Sequence, residues 1–372
     1  MKILVLNQGS SSLKCALYEF NRHPSSVIQP IWENHLTWDS KEPKETQLHK
    51  ALLACLTEHR IDCIGHRVVQ GGAKYQKSTL IDRAVKQEVL RLADLAPLHN
   101  VLDVEGMEIL EKLLPNTPQI AVFDSAFHHT MPLYASTYPG PYAWKEMGIQ
   151  RFGFHGISYQ YCAQRAKEVL QKEIENMVIC HLGAGASLCA VKRGKSIDTT
   201  MGLTPLEGLM MDTRSGTVDP GILLYLLQKK GKTCEQISTE MYTQSGLLGI
   251  SGAGSDMKTV IKQAEQGHTR AQLALDMYIH RLNGLIGSMI ASLGGIDALV
   301  FTGGIGENST KIRERSCLAF QFLGVRLTPP LQEYPQDTII STKDSKVDVL
   351  LLHTQEAFEI GRECWNLMHT KH

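Results

Sequence analysis

The chain has 372 residues, 43% of them hydrophobic, and its 38 basic and 38 acidic residues cancel at neutral pH. This balance gives no electrostatic basis for binding nucleic acid or an anionic membrane surface. No apolar run approaches the roughly 18–20 residues of a membrane span, and the N-terminal apolar run is too short for a signal peptide. The nine cysteines form no C-x-x-C pair, which disfavours a zinc site and indicates reduced thiols in a cytoplasmic protein.

The first dozen residues predict a buried strand, a tight polar turn and a returning strand. Residues 3–6 are apolar, residues 7–12 are small and polar, and apolar residues then alternate with others from Leu13 onward. A turn of glycine and serine offers backbone N–H groups and hydroxyls to a phosphate at close range. From these residues alone, an ordinary hairpin turn remains an open interpretation.

Helices and strands alternate through the rest of the first half. The pattern predicts helices over 48–60, 83–95 and 100–114, the last two capped by Asp82 and Asn100, and strands over 31–36, 61–69 and 119–123. In open α/β sheets chemistry collects beyond the carboxyl ends of strands, which is where Arg67 and Asp124 stand. The Pro- and Tyr-rich residues 132–141 suit an inter-domain crossing or a lid.

The pattern of strand and small-residue loop recurs twice in the second half. Residues 177–181 lead into the glycine loop that contains Gly183 and Gly185, and residues 298–302 lead into one that begins at Gly303. The first of these and the N-terminal hairpin look like related halves of a duplicated architecture. None of the loops matches the Walker or the dinucleotide-binding pattern.

The remaining elements complete an α/β chain without short-period repeats. The sequence predicts helices over 158–173 and 270–293, the second ended by Gly294, and a helix capped at Asn308 or Ser309. A long glycine-containing polar segment covers residues 198–221. A last strand over 347–352 is followed by a final helix that Glu356 opens.

Nine short motifs, read together, carry a family resemblance. They are NQGSSSLK at 7–14, GHRVV at 65–69, APLHN at 96–100, FDSAFH at 123–128, GFHG at 153–156, HLG at 181–183, TPLEG at 204–208, TRSG at 213–216 and FTGGIGEN at 301–308. In this order and over the whole chain, they make the sequence resemble the acetate kinases. Any one of these motifs could be chance, but the ordered set is specific.

The resemblance implies the duplicated, two-domain α/β fold of the acetate and sugar kinase/Hsp70/actin (ribonuclease H-like) superfamily, with the active site in the inter-domain cleft. It implies an N-terminal domain over 1–149, completed by the C-terminal helix over 355–372, and a nucleotide-binding domain over 150–354. The implied reaction is reversible, direct in-line phosphoryl transfer from ATP to acetate, giving acetyl phosphate and ADP. The resemblance also implies that Mg²⁺, or Mn²⁺ in its place, is the cofactor of this transfer. The enzyme would be a homodimer.

Phosphoryl transfer leaves a protein mainly positioning and charge neutralisation to perform. A guanidinium matches phosphate geometry and keeps its charge. By resemblance, Arg67 and Arg214 neutralise the carboxylate and the moving phosphoryl group, and His155 contacts the transition state. Asp124 aligns acetate or polarises a water or the metal, and these alternatives stay open. His99 is a candidate cleft residue, with a structural role equally open.

The resemblance also implies three binding sets. Asn7 and Glu356 would lie near the metal. The acyl pocket would be formed, with Arg67, by Val69, Leu98, Phe154 and Pro205. The nucleotide would be bound by Lys14, His181, Gly183, Gly185, Asp256, Met257, Lys258, Gly303, Gly304, Ile305 and Asn308. A methyl-sized pocket discriminates weakly against one further methylene, so propionate is expected as a slower substrate.

Four residues depart from the expected pattern: Gln70 in place of His, Ala184 in place of Asn, Asp212 in place of Gly and Lys258 in place of Arg. They bear on the phosphoryl donor and the rate rather than on the fold. The alternatives are a propionate kinase, a pyrophosphate-dependent relative, and a non-catalytic nucleotide-binding regulator on the same fold.

Overall fold

The computed structural model describes residues 1–8, 12–24, 26–39, 41–93, 100–331 and 337–370. The chain divides into two compact units. The first comprises Met1–His129, Phe154–Tyr161 and Gln355–His372, and the second comprises Thr130–Gly153 and Cys162–Thr354. Across the described ranges, no helix is long and apolar enough to cross a membrane.

Strands and helices alternate along most of the chain. The strands are β1 (Lys2–Gln8), β2 (Ser12–Glu19), β3 (Trp32–Thr37), β4 (Cys63–Val68), β5 (Thr79–Leu80), β6 (Gln119–Phe123), β7 (Asn176–Leu182), β8 (Ala186–Lys192), β9 (Lys195–Thr199), β10 (Ala298–Thr302), β11 (Thr338–Ile339) and β12 (Asp348–Leu351). The helices are α1 (Lys44–Glu58), α2 (Arg83–Arg91), α3 (Asn100–Leu113), α4 (Leu133–Ser136), α5 (Ala143–Glu146), α6 (Gly156–Leu170), α7 (Pro220–Lys230), α8 (Cys234–Thr243), α9 (Gly246–Ser251), α10 (Met257–Glu265), α11 (Thr269–Leu293), α12 (Gly303–Asn308), α13 (Thr310–Leu318) and α14 (Glu356–His369).

The two units repeat one sheet topology. The first sheet has the order β3-β2-β1-β4-β6-β5, and the second, read from its other edge, has the order β9-β8-β7-β10-β12-β11. In both, an antiparallel hairpin (β1–β2 or β7–β8) adjoins two strands that run parallel to its first strand. The predicted duplicated α/β architecture is therefore confirmed.

The first unit is built around β1, whose side chains are buried on both faces. Leu4 and Leu6 belong to a core cluster with Leu48 and Leu52 of α1, while the last helix, α14, packs against β1 and β4. A continuous apolar run without alternation is what a strand covered on both sides requires. This arrangement makes the C-terminal helix part of the N-terminal core.

Two of the four side chains predicted to cap helix N-termini do so in the structure. Asp82 caps α2 by accepting a hydrogen bond from the Val85 N–H over 2.8 Å, as predicted. Asn100 does not cap α3 from outside, because it lies within the helix and bonds elsewhere. Ser309, one of the two predicted caps, serves α13. Asn308 does not, because residues 303–308 form a short helix themselves.

Candidate functional site

Two charged side chains lie side by side where neighbouring strands of the first sheet end. Arg67 is the next-to-last residue of β4, and Asp124 follows β6, which runs parallel to β4. Arg67 donates to Asp124 Oδ2 through Nη2 over 2.6 Å and through Nε over 3.1 Å. The side chain of Asp124 is 1% exposed and that of Arg67 is 16% exposed. Water therefore screens this ion pair weakly.

Burial and ion pairing act in opposite directions on the Arg67 guanidinium. Burial alone would lower its pKa, whereas the carboxylates of Asp124 and Glu356 raise it, and the pKa ends above its ordinary value. Arg67 therefore remains a cation across the pH range in which proteins are studied.

Asn7 connects Arg67 to the last helix. Arg67 Nη1 donates to Asn7 Oδ1 over 3.3 Å, and Asn7 Nδ2 donates to Glu356 Oε2 over 2.8 Å. Glu356 is the first residue of α14. The two oxygen-bearing side chains predicted to lie near a metal are thus in contact. Lys14 lies opposite Asn7 in the β1–β2 ladder, and residues 9–11 of the intervening turn lie outside the described residues.

The Asn7 amide and the Glu356 carboxylate carry oxygens of the kind that a hard divalent cation prefers. Mg²⁺ keeps several waters and usually takes only one or two carboxylates from a protein, so Asn7 and Glu356 fit its chemistry. Among the residues that the structure describes, no group of three or more His, Cys, Asp and Glu side chains could hold a metal ion.

His155 has an uncommon backbone conformation immediately before α6. Its φ is +57°, in the left-handed region that residues other than glycine rarely adopt. Its carbonyl accepts a hydrogen bond from the Tyr159 N–H, and the next residue, Gly156, donates its N–H to the carbonyl oxygen of Asp124 over 2.9 Å. Strained backbone of this kind clusters at functional sites. Asp124 thus holds Arg67 through its side chain and the His155 turn through its backbone.

The end of β4 is held by the start of α3. The Val69 N–H donates to Asp103 Oδ2 over 3.3 Å, and Asn100 bonds both backbone groups of Gln70 at 3.3 Å. Burial raises the pKa of Asp103 to about 8, although Val69 and the charge of Arg67 act in the opposite direction. Sequence reasoning missed Asp103, since an acidic residue in a first helical turn is ordinary.

The other described residues that were predicted for the acyl pocket belong to different units. Phe154 is buried in the first unit, and its carbonyl oxygen lies 3.0 Å from His128 Nε2. Pro205 lies in the second unit and accepts a hydrogen bond from Arg214 through its carbonyl. Leu98 and His99 lie outside the described residues.

Arg214 lies in the irregular segment between β9 and α7. Its Nη1 donates to the Pro205 carbonyl oxygen over 3.1 Å, so two predicted residues are in contact. Burial lowers the pKa of Arg214, and the neighbouring Tyr242 and Asp212 act in the opposite direction. The guanidinium nevertheless keeps its charge, because its ordinary pKa is far above neutrality.

A half-buried cluster that the sequence analysis missed holds the same segment. Arg151 Nη2 donates to Glu207 Oε1 over 2.6 Å, and the Tyr138 hydroxyl donates to Glu207 Oε2 over 2.5 Å. The Tyr138 hydroxyl also accepts from the Leu203 N–H over 2.9 Å. A Cβ at Gly202 would lie 1.9 Å from Glu207 Oε2, so a larger residue at this position would displace that carboxylate. Glu207 thereby fixes the loop that carries Pro205 and Arg214.

A cavity of about 590 Å³ opens in the second unit beside the turn between β7 and β8. Its volume falls within the usual range of small-molecule sites. It is lined by Gly183, Ala184, Asp212, Asp256, Met257, Lys258, Ile261, Gly304, Ile305, Asn308 and Ser309. Most of the predicted nucleotide-binding residues thus surround one cavity.

The predicted residues that do not line this cavity are nearby in the same sheet or loops, apart from Lys14 in the first unit. His181 is the last residue of β7 that pairs with β10, opposite Thr302. The Gly185 carbonyl accepts a hydrogen bond from the Gly183 N–H. Gly303 has a φ of +76°, and a Cβ there would lie 2.8 Å from the Leu182 carbonyl oxygen. Glycine is therefore needed where α12 begins against the end of β7.

Comparison with known proteins identifies relatives over the full length. The acetokinase family model matches residues 2–362. An acetate kinase from a Nostoc species is 46% identical, with 99% of this chain and 100% of the relative covered. The crystal structure of Porphyromonas gingivalis acetate kinase has a TM-score of 0.88 at 35% identity and 99% coverage of both chains. A propionate kinase structure from Francisella tularensis has a TM-score of 0.88 at 36% identity, covering 98% of this chain and 99% of its own.

Proposed function

Because the chain belongs to the acetokinase family, we propose that it is an enzyme that reversibly phosphorylates acetate with ATP. An acetate carboxylate oxygen forms a bond to the γ-phosphorus, and the bond from that phosphorus to the β–γ bridging oxygen breaks. The products are acetyl phosphate and ADP. The transfer is direct and in line, without a phosphorylated protein residue.

The observation that carries this proposal is the shielded ion pair of Arg67 and Asp124. A transferred phosphoryl group spreads negative charge over its equatorial oxygens, and a fixed cation in a weakly screened site stabilises that charge. Asp124 orients the guanidinium of Arg67, which leaves a defined donor face for the acetate carboxylate and the phosphoryl oxygens.

We assign a second cation and a further hydrogen-bond donor to the same transition state. Arg214 is oriented by the Pro205 carbonyl, and its guanidinium neutralises charge on the moving phosphoryl group. His155, fixed in a left-handed turn, donates a hydrogen bond to that group. Arg67, Asp124, His155 and Arg214 are therefore the proposed catalytic residues.

The cavity of the second unit is proposed to hold the nucleotide, because glycine backbone and polar side chains line it together. Gly183, Gly185, Gly303 and Gly304 allow backbone N–H groups to approach phosphates closely. The nucleoside is assigned to Asp256, Met257, Lys258, Ile305 and Asn308, with His181 and Lys14 beside the phosphates.

Mg²⁺ is the proposed divalent ion, with Asn7 and Glu356 as the residues that hold it, in part through water. The proposal is supported by the contact between these two oxygen-bearing side chains and by the preference of Mg²⁺ for oxygen ligands and retained waters. Bound there, the ion would neutralise charge on the phosphate chain.

Acetate is the proposed acceptor, and Val69, Leu98, Phe154 and Pro205 are assigned to its methyl group. One further methylene is worth only about 1–3 kcal/mol in such a pocket. Propionate is therefore expected to react more slowly rather than to be refused, and a propionate kinase is the less favoured alternative.

We also propose that the protein is a cytoplasmic homodimer. All nine cysteines are free thiols, which agrees with a reducing compartment. Helix α7 is apolar over most of its length but has no buried residue, and Ile222, Leu224 and Tyr225 are 47–55% exposed. A second copy would cover this face. Leu224→Lys should yield monomers in sedimentation analysis, whereas Leu133→Lys, at another exposed leucine, should not.

The decisive experiment traps acyl phosphate as the hydroxamate. The protein is incubated with acetate, propionate or butyrate, each with ATP or pyrophosphate, with and without Mg²⁺. Product from acetate and ATP that depends on Mg²⁺ supports the proposal, and the ratio to propionate measures the acyl pocket. If ATP binds but no acid yields product above background, the protein is a nucleotide-binding regulator instead.

A further inference from the structure

Asp212 is a charged residue of the cavity that the assignments above leave without a role. It is one of the four departures from the resemblance, standing where glycine is expected. Both backbone groups of Asp212 are hydrogen-bonded to other segments. Its N–H donates to the Ala184 carbonyl over 3.3 Å, and its carbonyl accepts from the Leu248 N–H over 2.9 Å. Ala184 belongs to the proposed phosphate loop.

The carboxylate of Asp212 has no hydrogen-bond donor of its own in the described part of the chain. Its Oδ1 is buried without a partner, although the side chain lines the cavity. The other carboxylate of the cavity, Asp256, is engaged by the Thr259 N–H over 2.8 Å as a helix cap. A fixed residue whose side chain bonds no neighbour is placed to bond the occupant of the cavity.

The chemistry of a carboxylate restricts what that occupant can be. An ionised carboxylate only accepts hydrogen bonds, so it favours hydroxyl groups and repels anionic oxygens. A nucleotide has neutral sugar hydroxyls beyond its phosphates, and a carboxylate that accepts from a ribose hydroxyl is a known device for holding nucleotides. Inorganic pyrophosphate presents anionic oxygens at both ends.

Resting on the proposed function, we propose that Asp212 is a specificity-determining residue for the phosphoryl donor. It accepts a hydrogen bond from a ribose hydroxyl of ATP and disfavours pyrophosphate by charge repulsion.

The charged groups around Asp212 agree with an ionised state near neutral pH. Burial raises the pKa of Asp212 to about 6, Asp256 acts in the same direction, and Arg214 acts against both. Lys258 lines the same cavity. The carboxylate is therefore mostly ionised at pH 7.5 and mostly neutral at pH 5.

The test compares donors in the full-length protein. Initial rates of acetyl phosphate formation are measured with ATP, 2′-deoxy-ATP, 3′-deoxy-ATP and pyrophosphate. The variants are Asp212→Asn, which removes the charge but keeps an accepting oxygen, and Asp212→Gly, which removes both. Asp344→Asn, at an exposed carboxylate that pairs with Arg326, is the matched control. Thermal melting checks that each variant is folded.

The wild type should prefer ATP over at least one deoxy analogue by about tenfold or more, the usual size of a hydrogen bond to a charged group. Asp212→Gly should bring that ratio close to one, and Asp212→Asn should keep part of it. Both should raise the rate with pyrophosphate relative to ATP. In the wild type, lowering the pH from 7.5 to 5 should raise the rate with pyrophosphate relative to the rate with ATP. Asp212→Asn should remove this pH dependence.

Equal donor ratios in the wild type, both variants and the control would overturn the inference. A calorimetric binding experiment distinguishes failure of this inference from failure of the proposed function. It measures the binding of ADP, its two deoxy analogues and pyrophosphate. A protein that binds ADP without forming acetyl phosphate contradicts the proposed function, and its binding ratios still decide the role of Asp212 in the same way.

Discussion

The N–H of Gly156 donates to the carbonyl oxygen of Asp124 over 2.9 Å, and a Cβ at Gly156 would lie only 1.9 Å from that oxygen. This contact joins the turn that carries His155 to the residue that orients Arg67. A side chain at position 156 would force the two backbones apart, so the geometry of the proposed catalytic residues depends on a hydrogen atom at this Cα.

Gly156→Ala should therefore lower the turnover rate strongly. Displacing a catalytic group by about 1 Å can cost on the order of a hundredfold in rate. The measurement is kcat for acetyl phosphate formation, with circular dichroism to confirm that the variant is folded. A folded variant with a rate within about threefold of the wild type would contradict the proposed role of this contact.

Gly287→Ala provides the matched control and a prediction of its own. Gly287 lies in α11, and a Cβ there would meet no atom within 4 Å. Alanine costs less backbone entropy than glycine in a helix, so the free energy of unfolding should rise by roughly 0.5–1 kcal/mol. Urea denaturation measures the change. A loss of stability would mean that another chain packs against this face of α11.

Arg67→Ala should reduce kcat by orders of magnitude and should also destabilise the first unit. It removes a cation aimed at the transition state. It also leaves the buried carboxylate of Asp124 without this partner, and breaking a buried pair costs about 3–5 kcal/mol. Arg326→Ala, which breaks an exposed pair with Asp344, should cost less than about 1 kcal/mol. A loss in rate below about tenfold would remove Arg67 from the catalytic assignment.

Ala184→Asn should change the affinity for the nucleotide more than the affinity for acetate. Ala184 is exposed and lines the cavity of the second unit, so an added amide can reach the occupant without disturbing the core. KM values for ATP and acetate, measured with the other substrate saturating, give the comparison. A change confined to acetate would mean that this loop does not hold the nucleotide.

Glu359→Gln should change how stability depends on pH. Glu359 is fully buried in α14, accepts a hydrogen bond from Gln160 Nε2 over 2.7 Å and pairs with Arg362. Burial raises its pKa to about 7, with Arg362 acting in the opposite direction. In the folded state the proton is held more tightly than in the unfolded state. The wild type therefore loses stability as the pH rises through the interval between the two pKa values.

The pH interval for this effect extends from about 4.5, the ordinary pKa of glutamic acid, to about 7. A shift of this size is worth about 3 kcal/mol over the interval. Between pH 4.5 and 7, the free energy of unfolding should fall by about 3 kcal/mol less in Glu359→Gln than in the wild type. Parallel curves for the two proteins would show that Glu359 titrates normally.

Local patterns predicted the parts of the site that depend on strand ends. The apolar runs before Asn7, Gly183 and Gly303 form the central strands of the two sheets, because continuous burial leaves a clear signal. The sequence places both Arg67 and Asp124 beyond the carboxyl ends of strands, where chemistry collects in open α/β sheets. Their contact is a finding of the structure.

Tertiary competition explains where local patterns failed. Asn100 has the side chain of a helix cap, yet the buried carbonyl of Val89 and the backbone of Gln70 take its hydrogen bonds. The glycine-rich residues 303–308 form α12 although glycine disfavours helices. There Glu307 accepts from the Gly303 N–H, and Arg313 donates to the last carbonyls.

Two further features left no signal in the sequence. The cluster of Tyr138, Arg151 and Glu207 joins residues up to 69 positions apart, and nothing local marks them as partners. The apolar residues of α7 lack a buried stripe, so the periodicity that usually reveals a helix is absent there.

The packing of α14 against β1 has a consequence for biosynthesis. Phe358 and Trp365 of this helix contact Phe20, which follows the N-terminal hairpin, and Ile360 fills the space left by Gly65. The N-terminal hairpin therefore cannot complete its core until α14, far along the chain, has been synthesised. Until then the apolar face of the nascent N-terminal sheet stays uncovered, and a chain truncated before α14 would depend on chaperones.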